Sequence, residues 1–191
     1  LKTIAEAIRH ELERKGQVYF LHNRIETMGH VKKKLENVLR RLGYKESGLI
    51  GIIHGRMPER EIISIMESFR RQEIKILLAT TIIGNGLDIS TANTLIVDES
   101  TRLGLAETHQ LRGRIGRGSV QAFAYLFYRP KYLTEKAADR LEALKEYSEL
   151  GAGYQIALRD LEIRGAGNIL GREQSGAINK VGLNLYYQIL N

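Results

Sequence analysis

Apolar runs of strand length alternate with longer stretches whose apolar residues recur every three or four positions, and this alternation limits the fold more than any other feature of the chain. Ile4, Ile8 and Leu12 recur at helical spacing up to Gly16, and Met28, Val31, Leu35, Val38, Leu39 and Leu42 do so up to Gly43. Pro58 suits a first helical position, with Ile62, Ile65, Met66 and Phe69 on the inner face that follows. Between these segments lie QVYFL, LIGII, IKILLAT, TLIVDE and AFAYLFY. IKILLAT and TLIVDE show no polar alternation, as expected of strands covered on both faces. Strand–helix–strand units of this length predict an α/β fold: a mostly parallel sheet with helices on both sides, in three layers.

After Pro130 the texture changes. Ala137, Leu141, Leu144, Tyr147 and Leu150 predict one long helix ending at Gly151, and a second amphipathic segment runs from about Tyr154 to Leu161. RGAGNILGREQSGAI is glycine-rich and reads as irregular, with a last short helix near Leu183 to Leu190. The expected organisation is an α/β domain over 1–130 and a helical hairpin with a loop over 131–191. With 191 residues, 43% of them hydrophobic, the chain can bury a core of that size.

A net charge of +7 favours an anionic partner, the alternative being a basic surface of no special purpose. There is no cysteine, which excludes disulfides and thiol chemistry and fits a reducing cytoplasm. No apolar run approaches the ~20 residues of a membrane-spanning helix. The chain opens LKTIAEAIRHELERKG, without an initiator methionine or a leader pattern, and reads as part of something longer.

Ligands of open α/β sheets gather at the carboxyl ends of the strands. Three loops are expected there: HGRM after LIGII, TTIIGNGLDIS after IKILLA, and HQLRGRIGRG after the helix that follows TLIVDES. In the second, Thr80 and Thr81 offer hydroxyl and backbone N–H groups to phosphates, Gly84 and Gly86 admit a close backbone, and Asp88 suits a ribose hydroxyl; an ordinary turn is the alternative. In the third, Arg114 and Arg117 share one face of a helical turn, and guanidinium forks match phosphate oxygens in a bidentate manner. Charge on a γ-phosphoryl group is one thing such a pair stabilises; two solvated arginines are the alternative. Asp98 and Glu99 look like a magnesium-holding pair, but the chain has no G-x-x-x-x-G-K-[ST] phosphate loop, and that role is rejected. The spacing of His22, His54 and His109 matches no zinc site, so no metal is expected, and His54 is read as a strand end.

At this point the motifs carry a resemblance. TTIIxxGLDI and HQLRGRIGRG resemble motifs V and VI of superfamily-two helicases and translocases, QVYFLHN resembles motif IV, and IIHGRM the block after it, in the right order from Gln17 to Tyr128. RDLEIRGAGNILGREQSG, Arg159 to Gly176, resembles the translocation motif shared by RecG branch-migration helicases and transcription-repair coupling factors. Ala166 and Asn168 stand where RecG proteins carry Pro and Asp, so the stretch is more similar to the coupling factors. Gly84 departs from the family, which usually has Glu there.

The resemblance implies a second RecA-like domain followed by a translocation motif, within an ATP-driven motor on double-stranded DNA. It implies that Arg114 and Arg117 reach the γ-phosphate as catalytic arginine fingers, and that Gly86, Asp88 and Gln110 lie near the nucleotide. Asn23, His54, Gly55, Arg56, Thr80 and Thr81 would touch the DNA backbone, and Arg164, Gly165, Gly167 and Gln174 would carry the translocation motif. An N-terminal RecA-like domain of the same parent chain would supply the phosphate loop and the Mg²⁺-binding acids for ATP. The family is a cytoplasmic one that displaces stalled RNA polymerase and couples transcription to nucleotide-excision repair. RNA polymerase and UvrA bind other parts of its longer chain, so the 191 residues alone are expected to be inactive. A RecG-type fork remodeller and a passive nucleic-acid-binding module are the competing readings.

Overall fold

The computed structural model describes residues 2–81, 89, 91–113, 115–116, 120–147 and 153–164, with the side chains of all but Arg102 and Arg164. The elements are α1 (Lys2–Glu13), β1 (Gln17–Leu21), α2 (Ile25–Arg41), β2 (Ile50–Ile53), α3 (Glu59–Arg70), β3 (Ile76–Ala79), β4 (Ala92–Val97), α4 (Leu105–Arg112), β5 (Phe123–Leu126), α5 (Glu135–Glu146) and α6 (Gly153–Arg164). The chain divides into two compact units: Leu1–Ser100 with Leu111–Arg129, and Thr101–Gln110 with Pro130–Asn191.

The first unit is built on one five-stranded sheet in the order β2-β3-β1-β4-β5. Every pairing is parallel, so each connection must return to the starting edge, and α2, α3 and α4 lie in three of the four connections. Successive residues of a strand face opposite sides of the sheet. On one side Val18, Phe20, Ile76, Leu78 and Ile96 pack with Ile8, Leu12, Leu35, Val38 and Leu39 of α1 and α2. Tyr19, Leu77 and Leu95, next along the strands, are buried as well. The unbroken apolar runs therefore do mark strands covered on both faces.

Several boundaries differ from the sequence reading. Pro58 precedes α3 instead of opening it, because its ψ of 139° keeps it extended. The strand read at TLIVDE begins earlier, at Ala92, which pairs with Gln17, and ends at Val97. Glu99 then takes a φ of 57°, a left-handed conformation that no strand continues. The helix expected to reach Leu150 has its last turn at Glu146, where Tyr147 departs to φ −92°, ψ 53°; residues 148–152 lie outside the described part.

At the amino edge of the sheet, polar side chains are committed to the interior. Glu11 is fully buried, its carboxylate held by Arg14 and by the hydroxyl of Thr94. Arg14 also donates to the carbonyl of Gln121 at 2.6 Å and lies over the ring of Phe123. Gln17, equally buried, donates from Nε2 to the carbonyls of Phe69 and Ile74, both at 2.6 Å. These bonds tie α1, β1, β4 and the approach to β5 together where the helices hand the chain back to the strands.

In the second unit α5 and α6 pack against each other, and the hydroxyl of Thr134 accepts the N–H of Ala137 at 3.3 Å to cap α5. Thr101–Gln110, which the sequence reading placed before a boundary at 130, falls with this unit. Arg140 of α5 supplies a physical reason, donating to the carbonyl of Leu103 at 3.0 Å. The irregular loop and last helix expected after Arg164 lie outside the described residues.

Candidate nucleic-acid interface

All five strands run the same way, so their exits share one edge. The ladder extends one residue past β1, β3, β4 and β5: His22 donates its N–H to Ala79 at 2.8 Å, Thr80 to Ile53 at 3.3 Å, Asp98 to Leu21 at 3.0 Å and Phe127 to Val97 at 2.9 Å. The side chains beyond those bonds form the edge. Asn23 is exposed, and its Oδ1 accepts the N–H of Thr81 at 2.9 Å. That single bond joins the loop after β1 to the loop after β3, and it leaves the amide nitrogen of Asn23 as a donor toward solvent. After β2, the N–H of Met57 closes a turn on the carbonyl of His54 at 3.0 Å, and Gly55 and Arg56 project from it, both exposed. Arg56 lies 3.4 Å from Glu26, an ion pair about 70% exposed on each side and so worth little to stability.

Thr80 differs from Thr81. Its side chain is only 4% exposed and its hydroxyl is enclosed with no partner among the described residues, so it is withdrawn from the surface the sequence reading gave it. Nδ1 of His54 is likewise enclosed and unpartnered among the described residues.

Sequence reasoning missed a charged cluster on this edge. Nδ1 of His22 lies 3.0 Å from Oδ2 of Asp98, and Nε2 lies 2.7 Å from the hydroxyl of Thr27. Glu99 is held by Arg24 at 2.8 Å and by Arg129 at 3.4 Å. The hydrogen bond from His22 is the main reason the Asp98 carboxyl sits below the ordinary range; partial burial opposes it, and the charges of His22 and Arg129 add to it. Asp98 and Glu99 thus do not fit a magnesium site, since their oxygens answer to a histidine and two arginines. Among the described residues no group of three or more His, Asp or Glu side chains is placed to hold a metal. The only hint of the cluster in sequence was a polar residue at each strand exit; partners as far apart as His22 and Asp98 cannot be matched without the strand order.

The arginine loop does not share this edge in the part that is described. Gly116 donates its N–H to the carbonyl of Ala92 at 3.1 Å, at the entrance of β4, and Ile115 beside it is buried. The expectation of three loops on one edge therefore fails for Ile115–Gly116. A segment that leads from a helix into a parallel strand must enter at the amino end. Gly116 has a φ of 66°, and a Cβ there would lie 2.2 Å from Cβ of Ala122. Its glycine is required by its own backbone and by Ala122, independently of any partner. Arg112 at the end of α4 is partly buried, which pulls its guanidinium below the ordinary value. Gln110 is exposed on α4. Gly84, Gly86, Asp88, Arg114, Arg117, Gly165, Gly167 and Gln174 lie outside the described residues. Arg164 ends α6, with its side chain likewise outside them.

Comparison with known proteins gives this edge a context. A family model described as helicase conserved C-terminal domain matches residues 1–119. The chain is 47% identical over 98% of its length to the transcription-repair-coupling factor of Borreliella burgdorferi, and 45% identical over 98% to that of Staphylococcus aureus. It spans 16% of each of those proteins. Among solved structures it is similar to RecG bound to a three-way DNA junction, with a TM-score of 0.71 and 28% identity over 99% of this chain and 24% of that one. The C-terminal domain of the DEAD-box protein Dbp5 shares the fold, with a TM-score of 0.54 and 19% identity over 75% of this chain and 79% of that one.

Proposed function

The chain belongs to the helicase conserved C-terminal domain family, and on that premise we propose that it is the C-terminal motor lobe of an ATP-dependent double-stranded DNA translocase of the coupling-factor kind. The observation that carries this reading is the carboxyl edge of the sheet. There the exposed Asn23, Gly55 and Arg56 and the half-buried Thr81 come from three separate strand exits, and Asn23 bonds Thr81 directly. Donors fixed on a rigid sheet suit phosphate oxygens, and phosphate contacts carry no sequence information, as a motor stepping along any DNA requires. A net charge of +7 favours the same polyanion.

In this reading Arg114 and Arg117 complete the ATP site across a cleft, with Gly86, Asp88 and Gln110 near the nucleotide. Mg²⁺ and the phosphate loop belong to an N-terminal RecA-like domain. Arg164, Gly165, Gly167 and Gln174 convert cleft closure into DNA movement. The boundary of the motor lobe lies near residue 130. RNA polymerase and UvrA engage other parts of the longer protein, which acts in the cytoplasm to displace stalled polymerase and recruit repair.

The test is Arg117→Ala in the full-length protein. ATP hydrolysis is expected to vanish while DNA binding without nucleotide stays nearly intact. Lost binding with surviving hydrolysis would favour a passive nucleic-acid module instead. The purified 191-residue chain is expected to hydrolyse ATP at the background rate. The 28% identity to RecG leaves fork remodelling as the second reading; displacement of a stalled RNA polymerase separates the two.

A further inference from the structure

The loop between β1 and α2 has only three residues, His22, Asn23 and Arg24, and each is tied to a different part of the carboxyl edge. The backbone N–H of His22 reaches the exit of β3 and its ring reaches Asp98 at the exit of β4, while Asn23 receives the N–H of Thr81 and Arg24 pairs with Glu99. The ring also closes on the first turn of α2 through Thr27, whose hydroxyl lies 2.7 Å from Nε2 and 3.2 Å from the carbonyl of Arg24. We infer that His22 is a positioning residue, a latch that holds Asn23 and the Thr81 amide in register for a DNA phosphate.

Asp98 engages one ring nitrogen of His22 and Thr27 the other, so the ring fixes the loop that bears Asn23 from two sides. The charged groups on the elements around His22 are Asp98, then Glu99 with Arg24 and Arg129.

The inference rests on the DNA reading for its purpose, and its physical content can be measured without DNA. In the 191-residue chain, His22→Gln is expected to lower the protection of the Thr81 amide against hydrogen exchange about tenfold while amides of α1 keep theirs. Affinity for a mixed-sequence 20-base-pair duplex is expected to weaken severalfold in the same variant. Thr27→Val keeps the His22–Asp98 pair and removes the Nε2 partner together with the hydroxyl bond to Arg24, so it serves if the Gln variant does not fold, and it should also lower Thr81 protection. Thr81 protection that is unchanged in a folded variant, or that falls no more than the protection of α1 amides, overturns the latch. Should the wild type bind no duplex in a salt-sensitive manner, the DNA reading fails while the exchange data still decide the latch.

Discussion

The two ends of one sheet use polar side chains in opposite ways. At the amino edge Glu11 and Gln17 are 0% exposed and Thr94 is 1% exposed, and the bonds they make all go to the protein itself. At the carboxyl edge Asn23, Gly55 and Arg56 are open to solvent, and the internal bonds they share leave donors free. The difference follows from parallel topology. The described helices return the chain toward the amino edge, while the exits of β1 and β2 carry exposed loop residues at the other. An edge whose polar side chains are buried and bonded to the protein holds the fold together, and an edge with exposed donors to spare can take a ligand.

The contrast predicts that stability resides at the amino edge. Replacing Arg14 by Met removes the main partner of a buried carboxylate, and the cost should be about 3–5 kcal/mol, read by urea unfolding. A loss under about 1 kcal/mol would mean that Thr94 suffices, and that the buried pair is not what closes this end. Gly116→Val should come next, at about 2–3 kcal/mol, because the new Cβ meets Ala122 at 2.2 Å and a β-branched residue resists a φ of 66°. A stable valine variant would show that the loop can relax away from Ala92.

The carboxyl edge should show smaller effects of a different kind. The Asp98 carboxyl is held below its ordinary range chiefly by His22. A group depressed on folding stabilises above its unfolded pKa, and that contribution disappears as pH falls through the folded value. Unfolding free energy should therefore drop more steeply below about pH 4 in the wild type than in Asp98→Asn. Parallel curves for the two proteins would remove the Asp98–His22 bond from the account. Smallest in stability is Arg56→Ala, expected to change unfolding by less than about 0.5 kcal/mol because its pair with Glu26 is exposed. Its duplex affinity should nonetheless fall, with the logarithmic salt slope reduced by about one. An unchanged slope would take Arg56 out of the interface.

Much of the fold could be read from periodicity alone. QVYFL became β1 without correction, and the apolar spacing of Ile4, Ile8 and Leu12 became α1. Even Glu11 was within reach, since it sits seven positions after Ile4, on the same helical face, and a charge there had to find a buried partner. Arg14 could be guessed from its spacing of three, but Thr94 and Gln121 could not. The candidate site was legible as residue types at strand ends, because a strand's last apolar residue also marks where its polar exit begins. Thr80 shows the limit: two adjacent threonines look alike in sequence, yet one is enclosed and the other caps the Asn23 bond.

What the sequence determined by itself is local. Spacing of apolar residues selects helix or strand, and unbroken apolar runs select a sheet covered on both faces, since each depends on neighbours a few positions away. The tertiary structure decided which strands adjoin and therefore which distant side chains meet. It put His22 on Asp98, Asn23 on Thr81, and Gly116 at the entrance of β4, away from the strand exits. The reason is that packing free energy accrues over a whole face of the sheet at once, so no single strand carries in its own residues the order in which the others will lie beside it.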